Sequence, residues 1–187
     1  MSENSIQWLA RIDSVNHHLG HSIRWFALIM VLLQFAIVML RYLFGISFIF
    51  LSEAVLYLHA ALFMLGAGYT MLVDGHVRVD IFYATMSLQK KALINLFGHL
   101  FFLLPMCVLI IYMSWRFVLN SWSILEGPLS VGGIPASFLL KTIIPLFCIL
   151  LIIQASAAIA RDFIIAFSTD NIADSEVSNE VNSGVDT

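Results

Sequence analysis

The stretch AVLYLHAALFMLGAGYTMLV, Ala54–Val73, is twenty residues long and contains no Asp, Glu, Lys or Arg. A helix rises about 1.5 Å per residue, so such a run crosses a hydrocarbon layer of about 30 Å. Opened by Glu53, it reads as one spanning helix, and three more runs qualify on either side of it. Upstream, about Ile23–Leu43 lies between Arg24 and Arg41. Downstream, one run starts near Ala92 and stays free of charge until Arg116, and another occupies about Thr142–Ala160, ended by Arg161 and Asp162. The short alternating segments of a membrane barrel are absent. The expected fold class is an all-α integral membrane protein with four transmembrane helices.

Composition agrees. Apolar residues make up 60% of the 187 and charged residues 11%, whereas a soluble domain is nearer half apolar and a quarter charged. The expected organisation is an amphipathic segment over residues 1–21, a four-helix membrane domain over 22–167, and an acidic disordered tail over 168–187. The last segment holds Asp170, Asp174, Glu176, Glu180 and Asp186 without a Lys or Arg. The long, partly acidic lead-in marks the first span as a retained anchor rather than a cleaved signal.

Orientation follows from the basic residues beside the spans. Arg11, Arg24, Arg78, Lys90, Lys91 and Arg161 fall on one side, and Arg41, Arg116 and Lys141 on the other. That bias places both termini in the cytoplasm. Trp8, Ile12, Val15 and Leu19 form one row and Gln7, Arg11, Ser14 and His18 the opposite one, as in an interfacial amphipathic helix. A second interfacial helix is expected after Gly75, with Val79, Phe82, Tyr83 and Met86 on its apolar face and Lys90 and Lys91 near anionic headgroups. Gly-Pro and Gly-Gly mark turns in the loop Ser121–Pro135. Helical patterning on either side of that loop runs for roughly 45–50 Å at 1.5 Å per residue, longer than the bilayer requires. Pro105 is expected to kink the third helix, and Gly66 and Gly68 to permit close helix packing.

Ionisable groups in spans are the first place to look for chemistry. Arg41 and Glu53 lie near the outer boundary, where they either pair across adjacent helix ends or are held separately by snorkelling and by the fold. His59 and His99, each about two turns into its helix, enter from opposite faces, which disfavours a shared haem. Cys107 and Cys148 sit in apolar runs and read as buried small hydrophobes. No nucleophile–base set, metal-ligand spacing or phosphate loop is present, so no catalytic residue, metal or cofactor is expected. The absence of a basic patch interleaved with aromatics argues against nucleic acid. A haem-bearing electron-transfer protein and a small stand-alone transporter are the competing readings.

GHVRVDIFY, Gly75–Tyr83, directly after the second span, resembles the small membrane subunit of tripartite ATP-independent periplasmic (TRAP) transporters. His76, Val77, Arg78, Val79 and Asp80 match the characteristic run, Ser52-Glu53 matches the opening of the family's second span, and EGPLSVGGIP (Glu126–Pro135) with Lys141 and Pro145 resembles one branch. The likeness covers roughly residues 20–165. It implies a non-catalytic scaffold in a bacterial inner membrane, working with a large TRAP membrane subunit and a periplasmic substrate-binding protein. Sodium-coupled symport of an organic acid, with a weak lean toward 2-oxo or hydroxy acids, would then reside in the partners. Arg41, Glu53, His76, Arg78 and Asp80 become candidates for a subunit-interface or structural clamp, and Glu126, Gly132 and Gly133 for a periplasmic docking loop.

Overall fold

The computed structural model describes the backbone of residues 3–73, 75 and 86–183, and the side chains of Trp8, 11–73 and 86–167. Helix α1 runs Glu3–Phe44, α2 Ile49–Leu72, α3 Leu88–Ser123 and α4 Ser137–Ser183. All four are long and apolar enough to cross a membrane. Among the described residues there is no strand.

The elements end where the sequence supplies a reason. Gly45 takes φ +68 after α1, a left-handed conformation that only glycine adopts without a Cβ penalty. The Ile46 amide then bonds back to Leu40 O at 3.1 Å. At the end of α2 the Val73 and Gly75 amides return to Tyr69 O and Thr70 O, at 3.0 and 2.8 Å. Lys90 and Lys91 fall in the first turn of α3 rather than in a preceding interfacial helix. Apart from Met86, the apolar face expected for that interfacial helix lies outside the described residues.

The amphipathic N-terminal segment and the first span are one uninterrupted helix of 42 residues. Its protein-facing side is not the row that hydrophobicity suggested: Asn16 and Ile23 are buried, while Trp8 and Val15 are exposed. Shape, not polarity, selects this side. The Asn16 Oδ1 atom rests where a Gly68 Cβ would stand, 2.7 Å away, and Tyr69 sits over Gly20. Gly66, by contrast, has open space around it.

Pro105 is accommodated by a change of helix type. Residues Gly98–Leu103 are π-helical, and the Leu104 amide bonds to His99 O, five residues back. A wide turn of this kind takes up the ring clash and missing donor that proline brings to an α-helix. In α4, Pro145 is buried inside the helix. No further proline or glycine occurs before Gly184. The helix is described as far as Ser183.

The chain forms two compact units. The first comprises Met1–His76 and Met106–Gln154, the second Val77–Pro105 and Ala155–Thr187. In the first, Cys107 and Cys148 are buried with their thiols within hydrogen-bonding reach of each other. Asn16 Nδ2 donates to Gln154 Oε1 at 2.6 Å, a buried side-chain bond joining α1 to α4. In the second, His99 Nδ1 and Asp162 Oδ2 lie 3.6 Å apart.

Candidate functional site

Glu53 is 6% exposed in the second turn of α2. Its Oε1 accepts from the Ser130 amide at 2.9 Å and its Oε2 from the Ile134 amide at 2.7 Å. Two backbone amides four residues apart converge on one carboxylate, and here the anion belongs to the same chain. Both glycines of the Gly-Gly pair are needed for this arrangement. Gly132 has φ +84, and a Cβ on Gly133 would lie 2.2 Å from each carboxylate oxygen. The turn is closed by the Gly133 amide on Ser130 O at 2.9 Å.

The other half of the loop is tied to α3 and α4. Glu126 accepts from the Ser121 hydroxyl at 2.5 Å and from the Lys141 ammonium. Lys141 also lies 4.0 Å from the centre of the Phe117 ring, a cation–π arrangement. Ser137 Oγ donates to Gly127 O at 2.5 Å and Trp122 Nε1 to Thr142 Oγ1 at 2.8 Å. The Lys141 and Ser121 donors hold the Glu126 carboxyl below the usual carboxylate range. A depressed carboxylate contributes stability above its unfolded pKa and loses it as pH falls through the folded value. Acidification below the usual carboxylate range should therefore loosen this end of the loop. Lys141→Met should remove most of that pH dependence, read as amide hydrogen exchange at residues 124–127 against pH after correction for intrinsic exchange.

The end of α3 is a Schellman motif built on the wrong residue. The Leu125 amide bonds to Trp122 O at 3.2 Å and the Glu126 amide to Ser121 O at 3.0 Å, the two bonds that define the motif. Its left-handed position is normally glycine, yet here Leu125 has φ 44. It is 65% exposed, so side-chain packing among the described residues does little to offset that strain. Leu125→Gly should raise the stability of the isolated chain by about 1 kcal/mol, seen as a higher unfolding temperature in detergent. No change would show that the left-handed geometry is not strained.

The sequence-predicted residues thus separate. Glu53, Gly132 and Gly133 are one constellation, although sequence reading assigned them to a clamp and a docking loop respectively. Glu126 faces inward to Lys141 and Ser121. Arg41 is exposed, and both Glu53 oxygens are occupied by amides, so the two do not form the ion pair weighed from sequence. His76, Arg78 and Asp80 lie outside the described residues. The large apolar side chains Ile124, Leu125, Leu129 and Val131 of the loop are exposed, the last to 94%. Sequence reading passed over Ser121 and Lys141 as partners of Glu126, since nothing local marks a contact 15 residues away. It also passed over Asn16 and Gln154, polar positions on apolar helices that were themselves the signal.

No curated protein and no solved structure matches the chain. A family model described as "Tripartite ATP-independent periplasmic transporters, DctQ component" matches residues 30–164, a range that takes in Glu53, the 76–80 run and the whole 124–136 loop. The chain belongs to the DctQ component family of TRAP transporters.

Proposed function

We propose that this chain is the small, non-catalytic scaffold subunit of a sodium-coupled transporter taking up organic acids across a bacterial inner membrane. Both termini face the cytoplasm in this reading, and the 124–136 loop faces the periplasm. A large membrane permease carries substrate and ion, a periplasmic binding protein delivers the substrate, and this chain holds the permease in place. The observation that carries the reading is the use made of Glu53. It is the one formally charged residue among the buried side chains described, and both its oxygens are spent on the chain's own loop. A buried carboxylate whose two oxygens each accept a backbone amide of the same chain organises structure.

In the same reading, the rigid loop offers Leu129 and Val131 to the binding protein, with Glu126, Gly132 and Gly133 shaping the backbone behind them. Arg41 and the 76–80 run bear on the permease. The test is affinity purification of the tagged chain from gently solubilised membranes that express the neighbouring transporter genes. Recovery of a large multi-span permease at a fixed ratio supports the reading. Sodium-driven uptake by vesicles containing this chain alone would contradict it.

A further inference from the structure

Two polar side chains stand in the middle of the spans and point away from the protein. Gln34 is near the centre of the membrane-length part of α1, and His59 near the middle of the 24-residue α2. They lie at roughly equal sequence distances from the Gly45–Phe48 connection, so these antiparallel helices place them at similar depth. Both are exposed. Neither makes a hydrogen bond with a described residue; the recorded contact of His59 is the Phe63 ring, 4.7 Å between centroids. Around them the exposed side chains are wholly apolar, with Phe35 at 60% and Phe63 at 67%.

Lipid tails offer no donor or acceptor, and neither side chain is close enough to a helix end to snorkel to water. A carboxamide and an imidazole at this depth therefore require partners from outside the chain. We propose that Gln34 and His59 mark an assembly surface, covered by a membrane-spanning helix of a different polypeptide that presents hydrogen-bonding groups at mid-bilayer. The occupant is hetero rather than a second copy because the family is one component of a three-part transporter. Its chemistry is set by these two side chains: acceptors for the Gln34 amide and the imidazole N–H, such as hydroxyls, carboxamides or the open carbonyls of a broken helix. This inference rests on the proposed role in a transporter complex and adds the place where the complex forms.

The experiment uses the full complex in its native membrane. A photoreactive benzoylphenylalanine at position 35 or 63 should give an adduct with a second, different membrane polypeptide. The paired substitution Gln34→Leu and His59→Leu should leave the subunit itself inserted and folded. It should lower the recovered partner by about tenfold, the effect of roughly two interhelical hydrogen bonds in lipid. Adducts confined to lipid or to a second copy of this chain overturn the proposal, as does undiminished recovery of the partner with the paired variant. If a permease copurifies while positions 35 and 63 reach only lipid, the surface is wrong and the scaffold reading stands. If nothing copurifies, both fall.

Discussion

Glu53→Ala should cost the turn at residues 130–134 about 3 kcal/mol of local stability and release it. Two amide donors, Ser130 and Ile134, end on this carboxylate at 2.9 and 2.7 Å. Hydrogen bonds to a charged acceptor are worth roughly 1.5–3 kcal/mol each, and part of that loss is offset by water reaching the opened turn. The reading that isolates the effect is amide hydrogen exchange at Ser130 and Ile134. Protection there should fall by about a hundredfold, since each 1.4 kcal/mol is roughly tenfold in the opening equilibrium. Exchange along α1 should stay unchanged. Unaltered protection at the two amides would show that the carboxylate is not what holds them. Glu53→Gln should fall between wild type and alanine, because a carboxamide offers one acceptor and turns its NH2 toward the other donor.

Gly133→Ala reaches the same state from the opposite side. Its new Cβ would stand 2.2 Å from both oxygens of Glu53, so the carboxylate must leave the Ser130 and Ile134 amides. The double variant should then cost little more than either single one, whereas independent sites would add.

The membrane architecture was legible because it rests on one long-range-free quantity, the length of uncharged sequence. Ala54–Val73 announces α2 without reference to any other part of the chain. The loop was legible only in pieces. Gly132-Gly133 signals a turn, and Glu53 at a helix start signals a functional carboxylate, but 77 residues separate Glu53 from Ser130. No local rule joins them, and a nearer opposite charge at Arg41 offers a plausible wrong answer. Charge pairing with Arg41 was one of two readings left open; backbone amides do the binding, and amides occur at every position, so sequence cannot single out the two that matter.

The buried polar contacts failed for a related reason. Asn16 belongs to neither the apolar nor the polar row of its own helix, so nothing on that helix singles it out. It is buried because α2 carries Gly68 opposite it and α4 supplies Gln154. Periodicity describes one helix at a time, and this contact needs three. Family resemblance filled part of the gap: it drew attention to Glu53 and to the loop together. It could not say that one closes on the other.

Gly20→Ala should be among the most damaging small substitutions in the chain. On propensity alone the change favours α1 by about 1 kcal/mol, because glycine is a poor helix interior residue. Packing opposes it more strongly. The added Cβ would lie 2.2 Å from Tyr69 Cγ, 2.5 Å from Cδ2 and 2.8 Å from Cβ. Rotating the tyrosine clears the ring but not its Cβ, which is fixed to the α2 backbone, so the helices must move apart. Overpacking of this kind costs roughly 1–3 kcal/mol where the surroundings yield. Here separation also weakens the Asn16–Gln154 bond at 2.6 Å and the His17–Tyr69 ring contact at 6.0 Å. A net loss of about 3 kcal/mol is expected, measured as a drop in unfolding temperature of the purified subunit. Adding Tyr69→Ala should restore most of it, leaving a remainder because the two Cβ atoms still meet at 2.8 Å. A neutral Gly20→Ala would mean that propensity wins and that α1 and α2 do not approach this closely. A damaging Gly20→Ala that Tyr69→Ala fails to rescue would place the clash with some other group.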